Sequence, residues 1–220
     1  VMLYDIQARK VLAELQVARV KYVVWNKDFS SVAFLSKHQV LVANKNLEQM
    51  CAATETVRLK GGAWDGNKPI FIYSTSSHVK YLIPNGDCGI IRGLETPVYI
   101  TKVHGNSLFC LDREGKMRVL EVDATEAAFK LALEAKDYPE VMRMVKNSRL
   151  CGQAIITYLT EKGYPEVALL FVHDNRSRFD LALACGNIQV AMNVAYDLGD
   201  DAWRQLGIEA LRQGNHEVVE

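Results

Sequence analysis

Five histidines, five cysteines and one Gly-Gly pair are the residues on which chemistry could rest in this sequence. His38 and His78 stand 40 apart, each beside a short run of strand-forming residues. They read as a repeated turn position whose ring nitrogens bond backbone, rather than as a metal pair. His104, His173 and His216 fall at other places in the pattern. Cys51, Cys88, Cys110, Cys151 and Cys185 are separated by 37, 22, 41 and 34 residues, with no Cys-x-x-Cys or Cys-x-x-His pair among them. An odd, scattered set of this kind reads as free thiols in a reducing compartment, most of them small apolar fillers.

The sequence has no phosphate-cradling G-x-x-x-x-G-K-S/T or G-x-G-x-x-G, no nucleophile elbow G-x-S-x-G and no H-E-x-x-H. Cys110 and Cys185 lie in apolar stretches, with nothing nearby in sequence to lower a thiol pKa. Gly61-Gly62 precedes a strand-like segment instead of opening a helix, so it suits a bulge or a close approach of strands. Asp174, Arg176, Arg178 and Asp180 read as a solvated loop and helix start, and Trp203, four residues before Gly207, as large-beside-small helix packing. No residue is assigned a catalytic, cofactor-binding or metal-binding role, no cofactor is expected, and partner-contact residues are left unassigned.

These positions are held by an ordinary globular composition, 49% apolar and 24% charged over 220 residues. No apolar run reaches the length of a membrane span, and "VMLYDIQARKV" lacks the layout of a secretory signal, so a cytoplasmic protein is expected. Residues 1–123 carry 16 Lys+Arg against 12 Asp+Glu, and residues 124–220 carry 10 against 14. Neither half has the dense basic run of a phosphate-backbone binder, so nucleic acid is not an expected partner.

The first 123 residues read as strands. "VKYVVW" (20–25), "SVAFLS" (31–36), "QVLVAN" (39–44), "IFIYST" (70–75), "HVKYLI" (78–83), "PVYITKV" (97–103), "SLFCLD" (107–112) and "RVLEV" (118–122) are separated by turn residues. Trp25 and Trp64 are 39 apart and Phe71 and Phe109 are 38 apart, a period that matches a four-stranded propeller blade. The unit from residue 20 fits a degenerate WD-type blade that lacks the Trp-Asp dipeptide itself. A closed propeller needs about four to eight blades, whereas this stretch supplies about three. The expectation is an excerpt of a longer polypeptide whose incomplete ring leaves an open, edge-bearing face.

From residue 124 the apolar period changes to that of helices. "TEAAFKLALEA" is amphipathic, with Phe129, Leu131, Ala132 and Leu133 on its apolar turns and Thr125 placed to cap it. Four joints follow, aligned on Asp137, Gly163, Gly186 and Gly214, and Tyr-Pro-Glu-Val occurs at two of them. Glycine suits the left-handed residue that ends a helix, proline the first helical position, and Glu140 or Glu166 the positive end of the helix dipole. Repeats of this kind stack into an α-solenoid. The expected architecture is therefore β then α: an incomplete WD-type propeller at 1–123 and the N-terminal part of a solenoid of TPR-like helical hairpins at 124–220.

"GDCGIIRGLETPVYITKVHGNSLFCLDREGKMRVLEVDATEAAFKLAL" (86–133), "GYPEVALLFVHDNRSRFDLALACGNIQVA" (163–191) and "WRQLGIEALRQGNHEVVE" (203–220) resemble the alpha-type subunits of coatomer, the COPI vesicle coat. The likeness covers essentially the whole chain and crosses the strand-to-helix boundary. Beta-prime subunits share the architecture but follow the Gly-Ile-Ile-Arg and Thr-Glu-x-x-Phe-Lys stretches less closely. The resemblance implies a non-enzymatic scaffold for Golgi-to-ER and intra-Golgi transport, built of two propellers and a solenoid. It implies assembly with other coatomer subunits, beta-prime especially, and peripheral association with Golgi membranes and COPI vesicles through the assembled coat. Cargo-reading regions of that family lie outside this stretch, so none of its residues inherits that role. Another propeller-solenoid trafficking scaffold, intraflagellar or nuclear-pore, is the alternative; a cryptic cysteine or histidine enzyme is a third reading, which needs a second catalytic group within hydrogen-bond reach.

Overall fold

The computed structural model describes residues 1–147 and 153–215, so Cys151 and His216 lie outside the described residues. The chain divides into two compact units, Val1–Tyr138 and Pro139–Glu220.

The first unit holds thirteen strands. β1 (Met2–Asp5) and β2 (Lys10–Glu14) form an antiparallel hairpin. β3 (Tyr22–Trp25), β4 (Ser31–Leu35), β5 (Gln39–Asn44) and β6 (Gln49–Thr54) form a four-stranded meander, blade 1. β7 (Gly61–Trp64), β8 (Phe71–Ser74), β9 (His78–Leu82) and β10 (Cys88–Gly93) repeat it as blade 2. β11 (Tyr99–His104), β12 (Ser107–Leu111) and β13 (Met117–Glu121) form a third, three-stranded blade. The fold is part of a β-propeller followed by helices. Strands β6, β7 and β10 go beyond the sequence-based expectation, because "QMCAAT", "GGAW" and "CGIIRG" are rich in Ala and Gly and have little intrinsic strand preference.

The repeat between blades 1 and 2 is 39 residues, and it is written in hydrogen bonds. Lys21 N to Leu35 O matches Lys60 N to Ser74 O; Asn26 N to Ser31 O matches Asp65 N to Ile70 O; Asn44 N to Glu48 O matches Ile83 N to Asp87 O. This register corrects the pairing of His38 with His78. Ser36 N bonds Gln39 O as Thr75 N bonds His78 O, so His78 corresponds to Gln39. His38 corresponds to Ser77, since Glu55 N bonds His38 O as Leu94 N bonds Ser77 O. The side chains differ too: His78 Nδ1 meets Ser77 Oγ at 2.8 Å, whereas His38 Nδ1 is buried without a partner.

Two apolar seams hold the blades together. Ala33, Leu35, Val40, Val42, Cys51 and Ala53 of blade 1 pack with Trp64, Phe71, Tyr73 and Leu82 of blade 2. On the other face of blade 2, Ile72, Val79, Tyr81 and Ile83 pack with Ile100, Val103, Leu108 and Val122. Gly61-Gly62 serves the expected close approach. A Cβ on Gly61 would lie 3.2 Å from Ile100 N of blade 3, and one on Gly62 would lie 2.6 Å from the Phe71 ring.

Helix α1 (Thr125–Glu134) belongs to this first unit and adds Ala127 to the second seam. Its cap corrects the expectation. Thr125 makes no capping bond; its N–H donates to Asp123 Oδ1 at 2.9 Å, because the carboxylate two residues upstream reaches the exposed amide. The buried face is also shifted, since Ala127, Ala128, Phe129, Lys130 and Leu133 are buried while Leu131 and Ala132 are half-buried.

The remaining helices are α2 (Tyr138–Asn147), α3 (Gln153–Glu161), α4 (Pro165–Ala168), α5 (Asn175–Ala184), α6 (Ile188–Leu198) and α7 (Asp200–Arg212). In the second unit, Phe179, Ala182, Ala191, Ala195, Ala202, Leu206 and Ala210 are fully buried in one cluster. Small alanines at the crossings let the helix backbones come close. Asp174 caps α5 by accepting from Ser177 N at 2.8 Å, and Arg176 pairs with Asp180 along the exposed side. Trp203 does not pack over Gly207, whose Cβ position meets nothing within 4 Å; it packs edge-on against Tyr196, ring centroids 4.9 Å apart.

The four joints share one backbone device. At each, the left-handed residue donates to a carbonyl three back, and the residue after it donates five back. The pairs are Gly163 to Thr160 with Tyr164 to Leu159, Gly186 to Leu183 with Asn187 to Ala182, and Gly214 to Leu211 with Asn215 to Ala210. This is the Schellman closure of a helix. The first joint uses the same closure one residue earlier: Lys136, at φ 56°, donates to Leu133 and Asp137 to Ala132. Gly163 therefore corresponds to Lys136 and not, as the sequence pattern suggests, to Asp137, because the backbone places its left-handed residue at Lys136. As a result Pro165 opens α4, while Pro139 is the second residue of α2. The second Tyr-Pro-Glu-Val also yields a single helical turn, with Phe171 and Val172 buried beyond it.

Candidate functional site

Two of the buried charged groups of the first unit, Glu55 and Lys130, meet tyrosines of blade 2, each of which faces a glycine across the ladder. Tyr73 on β8 pairs with Gly62 on β7, and Tyr81 on β9 pairs with Gly89 on β10. A Cβ on Gly89 would lie 2.6 Å from the Tyr81 hydroxyl, so only glycine lets that ring lie across β10.

Tyr73 belongs to the seam with blade 1. Its hydroxyl donates to Glu55 Oε1 at 2.7 Å, and Lys80 Nζ donates to both Glu55 oxygens, at 2.9 and 2.8 Å. Glu55 follows β6 and is buried, so the last residue of one blade grips two strands of the next. Burial, and then the Glu55 carboxylate, push the Tyr73 phenol far up from its ordinary value. It is held as a hydrogen-bond donor and is unsuited to proton transfer near neutral pH.

Tyr81 belongs to the seam with α1. Its hydroxyl donates to Glu126 Oε1 at 2.8 Å, and Lys130 Nζ donates to that hydroxyl at 2.8 Å while pairing with Glu126 at 2.9 Å. Lys130 is only 6% exposed and its ammonium also lies 5.4 Å from the Tyr81 ring centroid. A buried ammonium is tolerated only with such a set of partners. The Glu126–Lys130 pair is spaced i,i+4, and helical geometry aims both side chains at one strand residue.

Composition and spacing assign no role to Glu55, Tyr73, Lys80, Tyr81, Glu126 or Lys130. Glu126 and Lys130 carried a readable signal in their spacing, and Gly89 in its strand; Glu55 and Lys80 are joined across 25 residues, which no local pattern displays. Of the thiols considered, burial pushes Cys51 up to about 11 and also raises Cys110. Cys88 is exposed and Cys185 half-buried, with its Sγ bonded to Leu181 O at 3.0 Å. Among the described residues no group of three or more His, Cys, Asp or Glu is placed to hold a metal ion. No helix among them is long and apolar enough to cross a membrane. The ionisable groups of both clusters are thus occupied in fastening one element to the next.

Comparison with known proteins bears on the same architecture. Residues 1–112 match the family model described as COPA/B second beta-propeller, and residues 134–220 match that of the COPA/B TPR domain. The chain belongs to the COPA/B second beta-propeller family. Among COPA/B relatives, coatomer subunit alpha-2 of Oryza sativa subsp. japonica is 58% identical over 100% of this chain. Coatomer subunit alpha of Dictyostelium discoideum is 52% identical over 99% of it, and that of Saccharomyces cerevisiae 49% over 100%. The match covers 18% of the length of each of these COPA/B proteins.

Proposed function

We propose that this chain is a non-enzymatic scaffold segment of the COPI vesicle coat, supporting retrograde Golgi-to-ER and intra-Golgi transport by assembling with other coatomer subunits. The observation that carries the proposal is the likeness to coatomer alpha subunits, 44–58% identical across the strand-to-helix boundary. The physical reading agrees with it. Both buried polar clusters tie structural elements together, and stacked helices offer extended faces suited to partner proteins. In this proposal residues 1–123 are the propeller part, and α1 opens the helical series while docked on the blades. The protein acts in the cytoplasm, reaches Golgi membranes and COPI vesicles through the assembled coat, and packs its helices against the beta-prime subunit. A pull-down of the purified beta-prime coatomer subunit by the full chain tests this. Stoichiometric capture is expected; capture at the level of an unrelated propeller protein would overturn the beta-prime assignment.

A further inference from the structure

Cys51 and Cys88 stand on opposite walls of the seam between blades 1 and 2. Cys51 on β6 pairs across the ladder with Val42, and both belong to that seam. Cys88 on β10 pairs with Leu82, which belongs to the same seam from the blade 2 side. The next pair along, Gly89 with Tyr81, faces blade 3 instead. Side chains alternate along a strand, so Cys88 is turned toward blade 1 and Cys51 toward blade 2.

The turn between β9 and β10 brings the two walls close. Cys51 Sγ donates to Ile83 O at 3.5 Å, and a Cβ on Gly86 would lie 3.6 Å from Cys51 Cβ. A disulfide sets its two Cβ atoms about 3.5–4.5 Å apart, so the turn leading into Cys88 already approaches Cys51 at that range. Cys88 follows Gly86 by two residues, at the first position of β10. The thiols also sense each other: burial pushes Cys51 up to about 11, the Gly86 backbone acts in the opposite sense, and Cys88 adds to the rise. An effect of this kind falls off with separation, which agrees with two neighbouring sulfurs.

The pair differs in access. Cys88 is exposed, Cys51 is 7% exposed behind it, and both are free thiols. An exposed thiol beside a sheltered one is the arrangement in which the first meets an oxidant and the second resolves the product.

We propose that Cys51 and Cys88 form a redox modification site, closed to a disulfide by hydrogen peroxide, that staples β6 of blade 1 to β10 of blade 2. The Cys88 sulfur attacks one peroxide oxygen, the O–O bond breaks, and Cys88 sulfenic acid and water result. The Cys51 sulfur then attacks the Cys88 sulfur; the S–S bond forms, the S–O bond breaks, and a second water leaves with the Cys51 proton. Two thiols are oxidised and one peroxide is reduced to water. Cys51 must first leave the Ile83 carbonyl, so the second step waits on movement of the 83–88 turn. The product adds a covalent link to the two blades that Glu55 already fastens, and thiol reductants reopen it.

Treating the full chain with hydrogen peroxide, blocking the remaining thiols with N-ethylmaleimide and mapping peptides without reduction tests the proposal. A peptide pair joined through Cys51 and Cys88 is expected in the monomer, lost again on adding dithiothreitol. Oxidation is also expected to raise the urea midpoint, because the link restricts the unfolded chain. Cys88→Ser, at an exposed position, keeps the fold and should lose both the joined peptides and the rise in midpoint. Cys51→Ala should lose the joined peptides and leave Cys88 to accumulate as sulfenic or sulfinic acid. Cys88 over-oxidised in the unaltered chain while Cys51 stays free, Cys88 joined only to a second chain or to another cysteine, or a joined pair with no rise in midpoint would each overturn the proposal.

Discussion

Trp25 and Trp64 end the first strands of blades 1 and 2, one 39-residue repeat apart, yet they live in different surroundings. Trp64 is 8% exposed, its indole N–H donates to Val24 O of blade 1 at 2.8 Å, and it meets Phe71 edge-on at 5.1 Å. Trp25 is 36% exposed and meets Phe29 of its own loop, ring centroids 6.3 Å apart. Tyr22 and Val23 beside it are exposed as well, whereas Ala63 in β7 is buried. What separates the two is the neighbouring blade. A blade's first strand becomes core only when another blade stands against it, and the polar clamp at Tyr73 fastens blade 1 to blade 2.

The largest effect expected from breaking this contrast is at Trp64. Trp64→Ala opens a cavity and removes the indole bond to Val24 O, which costs about 3–5 kcal/mol. Trp25→Ala, on a partly exposed ring, costs under about 1 kcal/mol. Urea unfolding of both variants checks the pair, and equal destabilisation would remove the distinction. Next comes the clamp. Glu55→Ala leaves the buried Tyr73 hydroxyl and the Lys80 ammonium without their acceptor, a loss of about 2–3 kcal/mol by the same measurement.

The seam also has a pH signature. Burial raises the Cys51 thiol from 9.0 to about 11, so the unfolded chain loses this proton first. Above pH 9 the unfolded state therefore binds fewer protons than the folded state, and stability falls until about pH 11. Cys51→Ala should make the decline of the urea midpoint over that window shallower; an unchanged decline would contradict the assignment. The 39-residue counterpart, Ile90, is exposed and carries no such group.

The smallest effect separates the two Tyr-Pro-Glu-Val joints. Lys136 holds the left-handed position that Gly163 holds at the next joint. Lys136→Gly should stabilise by up to about 1 kcal/mol, and Gly163→Ala should destabilise by about 1 kcal/mol, both read from thermal melts.

Much of this fold was legible in the chain, and the reasons are local. β-Branched strands, turn residues and the Trp25–Trp64 spacing reveal blades, while Gly163, Gly186 and Gly214 mark helix ends because glycine tolerates positive φ without strain. The departures arise where tertiary packing overrides local preference. β7 is a strand because Gly61 lets it lie against blade 3, and Lys130 is buried because Tyr81 and Glu126 receive its charge. The one-residue offset of His38 and of Lys136 was hidden because letters can align while backbones do not. The clamp of Glu55 on Tyr73 and Lys80 was least visible, since its members come from two blades and meet only after both have formed.

The scaffold assignment is tested most directly by isolating the full-length protein from its own cells under mild conditions and identifying what comes with it. Stoichiometric recovery of the other coatomer subunits, surviving a second sizing step as one complex, is the predicted result. Recovery of the protein alone, or with a different propeller-solenoid assembly, would contradict it.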